Sequence, residues 1–485
     1  MFKFKIIFFA RTNFSSMLFN SFEYVVFLPA VILLYFILPF RYRWIMLLGA
    51  SYYFYACWKA EYLIIIIAST LIDYLCGLKM GRLDSRKKRM PYLIISLVSN
   101  LGILFFFKYF NFFSQSYTVM LENFDIFKES ATFNFLLPVG ISFYTFQTLS
   151  YSIDVYKGSI KPEKHAGIFA LYVSFFPQLV AGPIERFDRL GPQFRVKHFF
   201  TYDNFSNGMR LILYGLFIKM VVADNLCGYV DELYDAPEKF GSSSLLTGMF
   251  FYSFQIYADF YGYSLIAVGS AKILGYTLMD NFKTPYLATG IAEFWQRWHI
   301  SLSTWFRDYL FIPLGGSRVK VFRLFFNIMV VFTISGFWHG ANWSFIIWGA
   351  LFGLLYIIEK ILNPKPVYSF TGRFPLKKIP VAIFIFILVT VIWVFFRSND
   401  MIVVKNMFSA LAENIGKRDY FYVEPFVWIF LIIFIVSDIL LYNSRFDKWI
   451  GNKHLIFRWL IYFFLIFVII VFSGVENFPF IYFQF

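Results

Sequence analysis

Long apolar runs dominate this sequence, and they limit what the chain can fold into. Examples lie at 24–38, 62–75, 324–338 and 460–472. A helix needs about 20 mostly apolar residues to cross the hydrocarbon core of a bilayer, where the backbone must satisfy its own polar groups. Only 15% of the residues are charged, against about 25% in soluble proteins. The pattern predicts an all-α polytopic membrane protein.

The same length rule predicts about 11–12 transmembrane helices. The stretch 166–181 is too short and too rich in proline and glycine to cross the bilayer, so we expect it to be re-entrant or packed inside the protein. We place the spans at 22–39, 43–58, 61–77, 91–113, 133–156, 208–224, 246–270, 322–338, 342–362, 380–397, 426–442 and 456–474.

Charge divides the connecting loops into two classes. Loops 79–90, 363–379 and 443–458 are basic, whereas 121–130 and 229–240 are acidic. Because lysine and arginine mark cytoplasmic loops, this alternation holds through all the predicted spans with both chain ends outside. The formal net charge of +15 is therefore a topology signal, and we expect no nucleic-acid partner.

Residues 1–16 disagree with this alternation, because their three basic side chains would lie outside. The segment lacks the cleavage site and the long apolar core of a signal peptide. We therefore expect translation to start at Met17 and residues 17–485 to form a single membrane domain. The loops are too short to form a soluble domain.

Several ionisable residues fall within or beside the predicted spans, where such side chains usually face the protein interior or a cavity. We expect Lys108 and Asp154 to pair and hold two helices together. Lys219 lies close enough to a span end to extend its ammonium to the interface. Asp259 shares a polar run with Gln255, which fits a polar cavity and a purely structural role equally well.

His339 is another of these residues, in the stretch SGFWHGANWSF at 335–345. A helix rising about 1.5 Å per residue from the basic edge near Arg318 carries it well across the bilayer. Glycines on both sides allow the helix to bend or end, while Trp338 and Asn342 supply flat and polar neighbours. A neutral imidazole there can accept a proton from a hydroxyl. A core histidine bonded to a helix carbonyl fits the local pattern equally well.

A second stretch, 292–316, carries aromatic residues and leucine at three- and four-residue spacing. This spacing predicts one helix with an apolar stripe, lying along the cytoplasmic interface or dipping into the protein. His299 lies one turn from Trp295 and Ser303, close to that stripe. A surface helix has no need of this histidine, although an interfacial aromatic belt explains the tryptophans without catalysis.

Taken together, these stretches resemble the membrane-bound O-acyltransferase (MBOAT) superfamily. They are most similar to its bacterial polysaccharide branch, which includes alginate O-acetyltransferase membrane subunits. The resemblance covers nearly the whole chain from Met17 onward. It rests on five segments in fixed order, at 138–158, 174–194, 294–318, 337–354 and the terminal FIYFQF at 480–485.

The resemblance implies a ring of helices around a central tunnel, with a thioester donor approached from the cytoplasm and an acceptor from the other side. It makes His339 and His299 the catalytic residues. Loop charge places these two histidines toward opposite sides, so segment 291–312 must dip inward for both to reach one tunnel. Substrate-binding or tunnel-lining candidates are Trp295, Ser303, Trp338, Asn342, Gln178, Gln255 and Asp259.

This family predicts O-acyl transfer in the bacterial cytoplasmic membrane, with no bound cofactor. The donor would be acetyl-CoA or another acyl thioester, including one on a carrier protein. Arg297, Arg307 and Arg318 are candidate contacts for CoA phosphates, although loop charge explains them equally well. The acceptor would be an extracytoplasmic polysaccharide hydroxyl, reached directly or through an SGNH-hydrolase-like transferase partner. No metal is expected, because the histidines and cysteines lack ligand spacing.

In this mechanism His339 takes the proton of the attacking hydroxyl, or stabilises developing charge if it is protonated. His299 orients the donor or donates a hydrogen bond to the tetrahedral oxyanion. Three alternatives share parts of the pattern. One is D-alanyl transfer to teichoic acid by the same fold, but the spans beyond residue 400 favour the polysaccharide branch. The others are a transporter with an intramembrane charge relay and a scaffold that anchors an extracytoplasmic partner.

Overall fold

The computed structural model describes residues 17–122, 124, 132–133, 137–180, 182–364, 368, 374–398, 400–473 and 480–481. The segment 1–16, with the question of the start codon, lies outside the described residues. So do most of loop 121–130 and the last four residues of the FIYFQF segment. Within the described ranges every regular element is a helix, which confirms the all-α prediction.

The α-helices follow in this order: α1 (Phe22–Ile37), α2 (Phe40–Lys59), α3 (Leu63–Gly81), α4 (Arg86–Leu104), α5 (Phe110–Glu122), α6 (Ile141–Lys157), α7 (Ala166–Ser174), α8 (Phe176–Leu179), α9 (Phe187–Leu190), α10 (Tyr202–Leu216), α11 (Asp224–Asp235), α12 (Ser242–Ile273), α13 (Ile291–Arg297), α14 (Ile300–Phe306), α15 (Val321–His339), α16 (Trp343–Leu362), α17 (Ile379–Arg397), α18 (Met401–Glu413), α19 (Pro425–Leu440), α20 (Phe446–Gly451) and α21 (Leu455–Phe472). Turns of π-helix at Phe105–Tyr109, Phe217–Ala223 and Arg307–Phe311 extend or join neighbouring helices.

Each predicted span contains a helix. By length and composition, 7 helical stretches of the described chain can cross a membrane, and α1 and α19 are shorter apolar helices. One stretch, Phe40–Gly81, has 42 residues and would be about 63 Å long if straight, twice the hydrocarbon thickness. Lys59 has extended backbone (φ −159°, ψ 107°), so α2 and α3 are two separate segments.

Three contacts join loops that the alternation of charge predicts to lie on the same side of the membrane. On the predicted cytoplasmic side, Arg445 pairs with Asp280 at 2.9 Å. On the opposite side, the Asn225 amide donates to the carbonyl of Phe472 at 2.8 Å, and the Asn414 amide bonds similarly to a loop carbonyl. The stretch 166–181 is buried from residue 171 to 180, which confirms that it packs inside the protein.

Helix α12 forms the centre of the fold and is buried along nearly all of its 32 residues. It crosses α10 at glycines, where a Cβ on Gly262 would come within 2.8 Å of the Gly215 carbonyl oxygen. Small residues of this kind let membrane helices approach closely and gain packing contacts. The crossing buries the polar residues of α12 inside the protein.

Helices α15 and α16 form a tight hairpin that positions the end of α15. A Cβ on Gly349 would overlap the backbone carbonyl oxygen of Phe332, and one on Gly336 would overlap that of Phe345. The two glycines also face each other, each Cβ position lying 3.1 Å from the other's Cα. A larger side chain at either position would therefore push the two helices apart.

We expect Gly349→Ala to destabilise the protein by about 1–3 kcal/mol, the usual cost of overfilling a packed interior. Gly49→Ala is the matched control, because Gly49 is also inside a helix but a Cβ there meets nothing within 4 Å. The midpoint of thermal unfolding in detergent measures both effects. An unchanged midpoint for Gly349→Ala would show that the hairpin tolerates a wider separation.

Candidate active site

His339 is the last residue of α15, deep in the protein. The helix has 19 residues and rises about 28 Å from its start at Val321, close to the full thickness of a bilayer. Gly340 has extended backbone and ends the helix there. The His339 side chain is buried, with 3% of its surface exposed. The apolar run thus delivers an imidazole to the far end of a membrane-spanning helix.

His299 occupies a break between two short helices, which corrects the prediction of one continuous helix over this stretch. Its backbone is left-handed, with φ 44° and ψ 54°. The backbone groups freed by the break bond to a neighbouring segment: Ile300 N–H donates to the carbonyl of Asn281, and Lys283 N–H donates to that of Arg297, both at 2.9 Å. Strained backbone of this type concentrates at functional sites.

The break turns His299 into the protein, where its side chain is fully buried. Burial lowers the pKa of this imidazole to about 3, because desolvation disfavours the charged ring. His299 is therefore neutral at physiological pH. The ring centroids of His299 and His339 are 6.5 Å apart, so segment 291–312 does dip inward as the family resemblance requires.

Aromatic rings enclose both imidazoles. Trp338 contacts both, with ring centroids 4.9 Å from His339 and 6.4 Å from His299. Trp348 and Phe396 pack against His339 at 5.1 and 5.2 Å. Phe260 contacts the His299 ring edge to face at 4.7 Å. The walls of the site are therefore largely apolar, which strengthens electrostatic interactions inside it.

Trp295 and Ser303 line a groove of about 550 Å³, which also borders Ile300, the residue that follows His299. The groove also borders Ser335, which lies one turn before His339 on α15. Trp295 contacts Trp348, the ring that packs against His339, at a centroid distance of 5.8 Å. Cations border this groove, namely Lys283 and Arg307. A ligand in the groove would therefore lie within reach of these two cations and of Ser335, one turn before His339.

The structure places three other predicted site residues as follows. The Asn342 side chain accepts a hydrogen bond from Ser344 N–H at 3.0 Å and caps α16. Gln178 is buried in α8 and donates to the carbonyl of Tyr172 at 2.5 Å. Gln255 is buried on α12, one turn before Asp259, and its Oε1 accepts no hydrogen bond from the described residues.

Asp259 belongs to a buried ion cluster. Lys219 approaches both Asp224 and Asp259 at 2.6 Å, and all three side chains are at most 6% exposed. The Asp259 carboxylate also accepts a hydrogen bond from Ile481 N–H at 2.7 Å. The prediction that Lys219 extends to the interface is therefore wrong, because two carboxylates hold its ammonium inside the protein.

Two further interpretations are corrected by the structure. Lys108 and Asp154 do not pair with each other: Asp154 accepts a hydrogen bond from Tyr309 at 2.6 Å, whereas Lys108 donates to backbone carbonyls of α15. Arg297 is fully buried and paired with Glu293 at 2.9 Å, so it is not a contact for a CoA phosphate.

Several residues of the site escaped the sequence analysis. Trp348, Phe396 and Phe260 are aromatic residues in a chain where 24% of all residues are aromatic, so nothing in the sequence distinguishes them. Lys108 did carry a signal, as a charged residue inside an apolar run, but its contact with residue 339 joins distant parts of the chain. The described residues contain no group of three ligands suited to a metal ion.

Comparison with known proteins identifies the family of this chain. The family model of membrane-bound O-acyltransferases matches residues 165–396, which include both histidines. A probable alginate O-acetylase of Azotobacter vinelandii is 39% identical over 391 residues, covering 80% of this chain and 76% of that protein. A peptidoglycan O-acetyltransferase of Helicobacter pylori is 35% identical over 424 residues, covering 79% and 78%.

Similarity to a third relative is more restricted. A teichoic acid D-alanyltransferase of Streptococcus thermophilus is 31% identical over 243 residues, covering 47% of this chain and 57% of that protein. The two O-acetyltransferases therefore share much more of the chain. These matches, together with the helical membrane architecture, show that the chain belongs to the membrane-bound O-acyltransferase family and is a membrane acyltransferase.

Proposed function

We propose that this protein transfers an acetyl group from a cytoplasmic thioester toward a hydroxyl group of an extracytoplasmic polysaccharide. The observation that carries the proposal is the buried pair His299 and His339, with ring centroids 6.5 Å apart. A reacting carbonyl and hydroxyl between two such rings lie within hydrogen-bond reach of both. The relatives named as alginate and peptidoglycan O-acetyltransferases support acetyl as the group and a glycan as the acceptor.

His339 acts as the general base. As the acceptor oxygen attacks the thioester carbonyl carbon, the hydroxyl proton passes to the imidazole. His299 donates a hydrogen bond to the oxyanion of the tetrahedral intermediate, a task that suits a neutral ring fixed in place by its backbone. The intermediate collapses as the C–S bond breaks, and the thiolate leaves with the proton from His339. The products are an O-ester and a free thiol.

The donor occupies the groove lined by Trp295 and Ser303. Its volume of about 550 Å³ suits the pantetheine arm that acyl-CoA and acyl carrier proteins share. Lys283 and Arg307 border the groove and supply positive charge for phosphate oxygens. Arg307 has an exposed side chain, although it also pairs with Asp308 at 2.7 Å. Acetyl-CoA is the simplest donor with this chemistry.

The acceptor approaches from the opposite side, at the end of α15. Because acyl thioesters are made in the cytoplasm and the polymer lies outside, the protein works in the bacterial cytoplasmic membrane. The acetyl group passes to the polysaccharide directly or through an SGNH-hydrolase-like transferase that uses the membrane protein as its acetyl source.

The direct test is alkali-releasable acetate from cell-envelope and secreted glycans, compared between cells with and without the protein. We expect acetate to fall in cells that lack it. Proteoliposomes with radiolabelled acetyl-CoA or D-alanyl carrier protein identify the donor. Label transfer only from the D-alanyl carrier, with unchanged glycan acetate, would contradict acetylation and show that the protein transfers D-alanine to teichoic acid instead.

His299 provides a separate prediction. Glycine adopts left-handed backbone without steric cost, so His299→Gly removes the imidazole with its N–H donor and keeps the break in the helix. We expect kcat to fall by about 10²–10³-fold, the usual effect of losing one oxyanion donor, with the KM for the donor unchanged. A raised KM at normal kcat would instead assign His299 to donor orientation. The detergent-unfolding midpoint checks that the variant is folded.

A further inference from the structure

Lys108 is an intramembrane cation to which the proposed chemistry gives no role. Its ammonium donates hydrogen bonds to the backbone carbonyls of Trp338 and His339, at 2.8 and 2.9 Å. These carbonyls belong to the last turn of α15, where carbonyl groups have no partner within the helix. Lys108 therefore caps the helix that ends at His339.

A local distortion of another helix aims Lys108 at this point. The π-helical turn Phe105–Tyr109 joins α4 to α5 within one long helical stretch, and such turns are frequent at functional sites. Phe105 and Phe106 on this turn are exposed, whereas the next residue after Lys108, Tyr109, is buried and stacks on Phe337 at 4.3 Å. Two successive residues of the turn thus contact the end of α15.

The charge of Lys108 suits this position. Carbonyl dipoles give the C-terminus of a helix partial negative charge, which a cation stabilises most strongly where water is excluded. Among the described residues the Lys108 ammonium forms no ion pair with a carboxylate, so the carbonyls of α15 are its negative partners. An apolar side chain of the same size would take this donor from the buried His339 carbonyl, which is costly, and would leave the Trp338 carbonyl only the Tyr109 hydroxyl at 3.5 Å.

Lys108 also borders the space in front of the imidazole. A cavity of about 30 Å³, enough for about one water molecule, is lined by Lys108, Ser142, Trp338 and His339 among others. The Lys108 ammonium lies 5.8 Å from the Trp338 ring, which itself contacts both histidines. The lysine is thus in contact with the backbone of His339 and with the wall of the site.

We propose that Lys108 is a positioning residue for His339. By binding the carbonyls of the last turn, it fixes where α15 ends and hence the direction of the imidazole. This proposal rests on the proposed role of His339 as general base. It predicts an effect on the chemical step, because a misplacement of about 1 Å can cost about 10²-fold in rate while donor binding is unaffected.

The test compares Lys108→Met and Lys108→Arg in the purified full-length protein. We expect Lys108→Met to lower kcat for acetyl transfer by about 10²-fold with the KM for acetyl-CoA unchanged. Lys108→Arg keeps a cation with several donors that can bridge two carbonyls, so it should recover most of the rate. If the methionine variant does not accumulate in the membrane, Lys108→Gln replaces it, with a smaller loss of kcat expected because its amide keeps N–H donors but lacks the charge.

The control is Lys59→Met, which removes another helix-terminal lysine that pairs with Glu61 at 3.3 Å. It should leave kcat unchanged. Wild-type kcat in a folded Lys108→Met protein would overturn the proposal, as would a loss that Lys108→Arg does not relieve. These results are distinct from failure of the proposed function, which would appear as wild-type turnover after loss of the His339 imidazole itself.

Discussion

Replacing His339 should abolish most acetyl transfer and leave the membrane protein folded. General acid–base catalysis contributes about 10²–10⁴-fold, so we expect His339→Ala to lower kcat by this factor. The ring packs among Trp338, Trp348 and Phe396, and alanine leaves a cavity there. His339→Gln fills more of that space without providing a base, so both variants should lose activity and the glutamine variant should retain more stability.

The matched control is His454→Ala, which removes an exposed histidine at the start of α21. Radiolabelled acetyl transfer at equal membrane abundance measures turnover, and the detergent-unfolding midpoint measures folding. Glycan acetate in cells should fall to the level of cells that lack the protein. Normal turnover in a well-folded His339→Gln protein would remove His339 from the chemistry and leave it a packing role.

Loss of the Lys219 ammonium should have the largest effect on stability. It is the cation between Asp224 and Asp259, and it approaches each at 2.6 Å. Breaking a buried ion pair from one side typically costs about 3–5 kcal/mol, because the remaining charge stays buried without a partner. We expect Lys219→Met to lower the free energy of unfolding by about this amount, measured by chemical denaturation in mixed micelles.

Two comparisons test whether the charge is the cause. Adding Asp224→Asn and Asp259→Asn to Lys219→Met removes the stranded carboxylates and should recover much of the loss. Lys272→Met is the control, since the side chain of Lys272 is 23% exposed and its partner Asp447 is also held by Arg445. If the triple variant is no more stable than Lys219→Met, packing of the lysine stem rather than its charge would account for the loss.

Besides its effect on stability, the ion cluster of Lys219, Asp224 and Asp259 holds another part of the chain in place through the Asp259 carboxylate. It accepts the Ile481 N–H, and the neighbouring Phe480 is fully buried with its ring 5.4 Å from that of Phe260. Phe260 in turn packs against His299. The cluster therefore holds a late segment of the chain against the wall of the candidate site. Loss of the cluster would for this reason also change the packing around the histidines.

The sequence located the helices well, because crossing a bilayer is a local requirement. Every predicted span contains a helix, and His339 lies at the end of α15 as the position of the apolar run indicated. The sequence predicted the stretch 292–316 less well, because residue spacing indicated one helix whereas the chain breaks at His299. The break depends on hydrogen bonds from the backbone of 281–283, a partner that helical periodicity does not contain.

For the charged residues too, the sequence indicated which residues are unusual but not which partners they contact. Their presence in apolar runs marked Lys108 and Asp259 as buried or functional, since an ionisable group in a bilayer needs a reason to be there, whereas Lys219 was wrongly predicted to reach the interface. Their partners could not be predicted, because Lys108 and His339 are 231 residues apart in the chain. The predicted pairing of Lys108 with Asp154 is wrong. Opposite charge favours a type of partner, but the packing of the helices decides which residue lies within reach.

By itself, the sequence determined an all-helical membrane protein and where its main helices lie, both of which follow from local composition, while its resemblance to the acyltransferase family supplied the two candidate histidines. Only the tertiary structure decided that these histidines converge to 6.5 Å between ring centroids. The physical reason is that burial inside the membrane forces each freed backbone group and each charge to find a partner within the protein. These partners come from the distant segments of the chain that pack against the group.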